Sequence, residues 1–243
     1  MIIGAQFYTI RKHCKTLDDF AESLKKVADI GYTTVQISGT CEYDPQWLKE
    51  QLDKNGLKCV LTHISKDKLA EDAAAVAKAH DVFGCDYVGL GSFQVKDEDG
   101  KRYSDFLNIY PTVAKTLKEN GKYFMYHNHA HEYELCEGKV KWEYMIENTD
   151  PDCVFFQMDV YWAVIGKASP VDYFKKYPGR WTMLHIKDKR EIGQSGMVGF
   201  EPIFRNFPKA GTEAIVVEME ESSSPNVLKG LRESALYLRN AKY

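Results

Sequence analysis

Two hydrophobic periods alternate along the chain. Short runs rich in β-branched and aromatic residues read as strands, and longer runs with apolar residues three and four apart read as amphipathic helices, several closed by glycine. Strand 2–9 precedes helix 16–30, where Leu17, Phe20, Leu24, Val27 and Ile30 share one face and Gly31 follows. Strand 33–38 precedes a helix from Pro45 to Asn55-Gly56, and strand 57–64 precedes helix 68–82, which ends near Gly84. Strand 86–91 leads to helix 104–119 and Gly121, strand 123–127 to a helix around 142–147, and strand 154–159 to one around 171–177. Strand 181–186 with helix 202–207, then strand 214–218 with helix 225–240, complete eight pairs.

Strict alternation implies parallel strands with crossover helices, and eight such pairs in one chain predict an α/β fold of the (β/α)8 TIM-barrel type, one domain over residues 1–243. A doubly wound open sheet would be expected to carry a glycine-rich first turn, yet the first loop reads Thr9-Ile10-Arg11-Lys12-His13. A barrel places its chemistry at the C-terminal ends of the strands.

Those ends carry metal-ligand and acid/base residue types. They read Leu61-Thr62-His63, Tyr126-His127-Asn128-His129, Gln157-Met158-Asp159, Leu184-His185-Ile186-Lys187-Asp188 and Val217-Glu218-Met219-Glu220. Counted from the glycine that closes the preceding helix, His127 lies six positions beyond Gly121, His185 six beyond Gly179 and Glu218 seven beyond Gly211, which places them in one layer at the mouth. His, Asp and Glu without cysteine suit one divalent ion, Mn2+, Co2+, Mg2+ or Zn2+. Such an ion can bind adjacent oxygens of a polyol or hydroxy-carbonyl while a carboxylate or imidazole moves a proton. Alternation sends His127 and His129 to one face and Asn128 to the other. His13 and His131 read as loop residues and His80 as a late helical residue facing solvent or the dipole. Trp47, Trp142 and Trp181 read as packing, whereas Trp162 is placed to cover a sugar face.

Composition narrows the partners. Lys and Arg number 32 against 35 Asp and Glu, a formal charge of −3, so no positive field exists for nucleic acid. No apolar run approaches the roughly 20 residues needed to span a bilayer, and the first residues lack a signal-peptide pattern, so the chain reads as cytoplasmic with no membrane partner. The six scattered cysteines form no CxxC pair and read as reduced, ordinary apolar residues.

Several segments resemble the sugar phosphate isomerase/epimerase superfamily, whose members have a xylose isomerase-like barrel, and within it a branch with a YHNHxxEF-type segment. They are Tyr126-His127-Asn128-His129-Ala130-His131-Glu132-Tyr133, Met158-Asp159-Val160-Tyr161-Trp162 with Gly166 and Ser169-Pro170, Gly179-Arg180 with Leu184-His185-Ile186-Lys187-Asp188, and Val217-Glu218-Met219-Glu220. The opening Gly4-Ala5-Gln6-Phe7-Tyr8-Thr9-Ile10-Arg11 is similar to the family's first strand. The resemblance implies one divalent metal held by Asp159, His185 and Glu218. Many relatives use a glutamate where this chain has His127, so the fourth ligand is His127 or Glu132 reaching in from the loop, and the register favours His127. Gln36 stands on strand two where an acid is common, and Gly193-Gln194-Ser195-Gly196 replaces a compact G-x-G segment.

The expected activity is a metal-dependent isomerase or epimerase acting on a sugar, sugar phosphate or keto-polyol through an enediolate. Glu218 would be one base, with Glu132 or His129 acting from the other side. Lys187 would bind an anionic or hydroxyl oxygen, and His63, Trp162 and Lys187 would contact substrate. A dehydratase or eliminase acting on a keto-sugar or keto-inositol shares the first step. A non-catalytic sugar-binding or partner subunit is a further alternative, which the Asp, His and Glu set opposes. Short loops leave a shallow mouth that a second copy, in a homo-oligomer, could close.

Overall fold

Eight parallel strands close into a barrel: β1 (Ile2–Gln6), β2 (Thr34–Ile37), β3 (Lys58–His63), β4 (Tyr87–Leu90), β5 (Tyr123–His127), β8 (Val154–Asp159), β9 (Met183–Asp188) and β10 (Ala214–Met219). Chain neighbours pair around the ring, and β1 pairs with both β10 and β2 to close it. The structure is a computed structural model that describes residues 2–93, 101–136 and 138–241, and the side chains of all of these but 101–104. Among them no helix is long and apolar enough to cross a membrane.

The helices form where caps and faces agree. Thr16 caps α1 (Leu17–Ile30) by accepting from the Asp19 amide, Phe20, Leu24 and Val27 are buried, and Gly31 ends the helix at φ 99°, where a Cβ would be strained. Asp44 caps α2 (Pro45–Asn55) in the same way, accepting from the Gln46 and Trp47 amides. The remaining covering helices are α4 (Ala73–Val82), α5 (Lys101–Glu119), α6 (Lys141–Glu147), α8 (Pro170–Lys176), α9 (Phe200–Arg205), α10 (Phe207–Ala210) and α11 (Val227–Asn240), with shorter α3 (Lys66–Glu71) and α7 (Val160–Ile165) between them.

Several elements differ from the pattern reading. The first strand stops at Gln6, whose side chain accepts from the Tyr8 amide and turns residues Phe7–His13 into a 3-10 helix. The expected helix 68–82 is two helices, because Asp72 leaves helical geometry and its carboxylate caps α4 at Ala75. The expected helix 202–207 is likewise two, α9 and α10, divided at Asn206. A hairpin of β6 (Leu135–Cys136) and β7 (Lys139–Val140) and the short α7 also stand on the mouth, so it is not rimmed by bare loops. His80 is a further correction. Rather than facing solvent it is buried, with Nε2 2.7 Å from Thr62 Oγ1 and Nδ1 2.7 Å from the Val76 carbonyl.

Strand alternation divides the side chains into an outer and an inner set. Phe124, Tyr126, Phe156, Met158, Leu184, Ile186, Ile215 and Val217 face the helices and join the main core with Trp142 and Trp181. Leu61, Met125, Met183, Ala214 and Val216 fill the lower interior. Two residues further along these strands come His63, His127, His185 and Glu218.

Candidate metal centre

Above the apolar layer, His127, Asp159, His185 and Glu218 each offer one ligand atom, and those atoms lie within 4.8 Å of one another. All four side chains are buried. They do not form a level ring: His127 is in register with Gln157, Asp159 with His185, and Glu218 with Lys187, because tilted, sheared strands place the set on a climbing path.

Hydrogen bonds elsewhere on these side chains determine which atoms face inward. His127 Nδ1 lies 3.0 Å from the Gly91 carbonyl, which can only accept, so the ring proton is there and Nε2 keeps its lone pair. His185 Nε2 lies 2.9 Å from Gln36 Oε1, which leaves Nδ1 as the free nitrogen. Asp159 Oδ1 accepts from the Trp162 amide at the start of α7, and the Asp159 amide itself donates to Asn128 Oδ1 at 2.9 Å. His127 Nε2, His185 Nδ1 and Asp159 Oδ2 are thereby buried with no hydrogen-bond partner. Burying polar atoms unpaired costs about 1–3 kcal/mol each, a cost that one ligand bound where they converge would relieve.

Their separations fit a cation. His127 Nε2 and Asp159 Oδ2 are 3.5 Å apart, His185 Nδ1 and Asp159 Oδ2 3.7 Å, and His185 Nδ1 and Glu218 Oε2 2.9 Å. Ligands at about 2.1 Å from one ion stand roughly 3 to 3.5 Å apart. The 2.9 Å contact is not aligned as a hydrogen bond, as expected when both atoms point to a shared centre. A divalent ion therefore fits these four residues.

Charge around the quartet is dense. Lys187, 1% exposed, places Nζ 3.0 Å from Glu218 Oε1, 2.5 Å from Glu220 Oε1 and 3.7 Å from Asp159 Oδ2, and 4.8 Å from the Trp162 ring centre. Burial pushes the Asp159 and Glu218 carboxyls up, but the Lys187 ammonium and the His185 imidazole outweigh it and hold both below the usual carboxylate range. Burial pushes Lys187 down, and Glu218, Asp159 and Glu220 more than reverse it. His185 is raised, since burial is overcome by Glu218 and Asp159.

The other sequence candidates lie at different places. His63 packs its ring 5.5 Å from His127 and 6.0 Å from His185, and it also borders a side cavity of about 330 Å3 lined by Ser38, Thr40, Tyr43 and Lys68. His129 stands edge-on to His127 at 4.9 Å and 5.7 Å from Trp162. Burial and His127 lower its pKa to about 4. Glu132 is buried outside the quartet. Its Oε1 accepts from Tyr126 Oη at 2.5 Å and lies 2.8 Å from His131 Nε2, and its Oε2 accepts from the His129 amide at 2.7 Å. Glu132 is thus bound to the outer face of β5 and its following turn.

Gln157 and Glu220 stand among the strand-end residues of the sequence but carried no assigned role, and the carbonyl of Gly91 went unnoticed. Gln157 and Glu220 share the inward parity of Asp159 and Glu218, a signal that could have found them. Gly91 carried none: a Cβ there would sit 2.6 Å from His63 Nδ1, so only glycine lets the carbonyl and the ring approach together.

Residues 24–241 match the xylose isomerase-like TIM barrel family. Two solved sugar phosphate isomerase/epimerases from Parabacteroides distasonis ATCC 8503 are similar throughout. One is 29% identical with a TM-score of 0.86 and covers 98% of each chain. The other is 27% identical with a TM-score of 0.88, covering 98% of this chain and 96% of that one. An inosose dehydratase from Geobacillus kaustophilus (strain HTA426) is 24% identical over 194 residues, which are 69% of this chain and 61% of that protein.

Proposed function

Because the chain belongs to the xylose isomerase-like TIM barrel family, we propose that it is a divalent-metal-dependent enzyme that isomerises or epimerises a sugar, sugar phosphate or keto-polyol. The observation that carries this reading is the convergence of three unpaired buried atoms, His127 Nε2, His185 Nδ1 and Asp159 Oδ2, beside the Glu218 carboxylate. A bound ion supplies Lewis-acid polarisation of a carbonyl and the neighbouring hydroxyl.

The chain's own residues do the rest. Glu218, ionised beside Lys187, takes the proton from the carbon next to the substrate carbonyl and leaves an enediolate. Isomerisation follows when the proton returns to the adjacent carbon and the hydroxyl proton passes to the former carbonyl oxygen, epimerisation when His129 delivers a proton to the original carbon from the opposite face. The Lys187 ammonium holds the oxygen on which negative charge grows. The Trp162 ring covers the C–H face of the sugar, and Trp162 Nε1, buried without a protein partner, donates to one of its hydroxyls, with His129 beside it. His63 bounds the substrate toward the side cavity. Dehydration is the second reading, favoured by the likeness to an inosose dehydratase. It shares the proton abstraction and differs in losing the neighbouring hydroxyl as water.

Metal analysis of the purified protein beside Asp159→Asn and His185→Ala tests the site: one divalent ion per chain is expected in the wild type and loss in both variants. Incubating the protein with keto-sugars in D2O tests the reaction. Solvent deuterium at the carbon next to the carbonyl is expected, release of water would move the assignment to dehydratase, and neither across the panel would reject both.

A further inference from the structure

Three imidazoles cluster above the apolar layer, yet only His127 and His185 belong to the four-ligand group. His63 stands further off, its ring centre 5.5 and 6.0 Å from the other two, which are 4.5 Å apart. A second difference lies in what Gln36 does to each ring.

Gln36 is fully buried on β2, and all of its hydrogen-bonding capacity is used. Its Oε1 lies 2.9 Å from His185 Nε2 and accepts from Gln157 Nε2 at 2.8 Å. Its Nε2 donates to Gln157 Oε1 at 3.3 Å and lies 2.7 Å from His63 Nε2. An amide NH2 only donates and an amide oxygen only accepts. His63 Nε2 must therefore accept, its proton sitting on Nδ1 toward Ser38 Oγ at 3.4 Å, while His185 Nε2 must donate. One amide imposes opposite tautomers on two neighbouring rings.

We propose that Gln36 is a positioning residue that selects which imidazoles bind the ion, fixing His185 with its Nδ1 lone pair inward and occupying the Nε2 lone pair of His63. This rests on the metal-centre reading above. No acid at position 36 can replace it, since a carboxylate has no N–H to give His63 Nε2 and would accept from both rings. With the amide turned round, His185 would carry its proton on Nδ1 against Asp159 and Glu218 and offer a cation nothing. The reciprocal pair with Gln157 fixes the orientation, because both amides would have to turn together.

Imidazole 15N NMR on metal-free and Zn2+-loaded protein reads the tautomers directly. His63 should be the Nδ1–H form in both states, with His185 bound through Nδ1 in the loaded one. In Gln36→Glu, His63 should change to the Nε2–H form without metal present. In Gln36→Leu, Zn2+ affinity should fall 10–100-fold, the usual cost of losing an outer-sphere partner. An Nε2–H His63 in the wild type, an unchanged tautomer in Gln36→Glu, or undiminished Zn2+ affinity in Gln36→Leu would each overturn the proposal. Should the wild type show the expected His63 tautomer and take up no Zn2+, the metal reading fails separately, and with it any selection by Gln36.

Discussion

The barrel interior has two storeys, built by the same strands two residues apart. In the lower one, Leu61, Met125, Met183 and Val216 close the floor with apolar contact. In the upper one, His63, His127, His185 and Glu218 follow on the same inward parity; His127, His185 and Glu218 are as hidden from water as the floor, and His63 is half-buried. The floor is stable by packing alone. The upper layer carries three atoms with no partner and several charges, a cost that a packing argument cannot offset and that a ligand can. Burial alone therefore says little about role, whereas unpaired buried atoms that converge on one point say much.

The largest test of that contrast is Asp159→Asn in the upper layer. Divalent ion affinity should drop by at least about a thousandfold, roughly 4 kcal/mol, by isothermal titration with Zn2+. Thermal stability should change little, since Lys187 keeps Glu218 and Glu220 as partners. Equal loss of stability and affinity would mean the layer is held together as the floor is.

The floor should behave in the opposite way. Met125→Ala leaves a cavity and should cost about 3 kcal/mol in chemical denaturation, while Zn2+ affinity stays within about threefold of the wild type. A collapse of affinity would show that the two storeys are coupled.

An imidazole on the far side of β3 sharpens the distinction. His80, packed on Thr62 outside the barrel, is lowered to about 4 chiefly by burial, with Lys122 adding to it. The folded state disfavours its protonated form, so stability is complete above the unfolded value near 6.5 and is lost as pH falls toward 4. Between pH 7.5 and 5 this should amount to about 2 kcal/mol, absent in His80→Leu. Parallel denaturation curves for both proteins at pH 5 and 7.5 would refute it.

The smallest effect belongs to the rim. Lys167, after α7, is the non-glycine residue with positive φ, at 62°, among the described residues. Lys167→Gly should raise stability by up to about 1 kcal/mol, leaving ion affinity untouched. A fall in melting temperature would show that the lysine side chain contributes more than its backbone costs.

Much of this was legible along the chain because strand and helix periods differ and because barrel strands end where chemistry begins. His127, Asp159, His185 and Glu218 stand out as ligand types because each falls at a strand end. Glu132 was not separable from them, since its tie to Tyr126 and the His129 amide depends on a turn that sequence spacing leaves undefined. His80 looked like a surface residue because helical position does not reveal that Thr62 lies opposite it. The break at Asp72 was hidden in an alanine-rich run, where the capping carboxylate is a single local contact.

The sequence by itself determined the alternation that makes a barrel, the parity that sends Met125 and His127 to one side of β5, and the chemical types at the mouth. These are local properties, fixed by period and by residue identity. Only the tertiary structure decided which nitrogen of each histidine is free, because that depends on a carbonyl at Gly91 and an amide at Gln36, far away in the chain. A ring's tautomer is set by its partner across space, and closure of the barrel is what brings that partner within 3 Å.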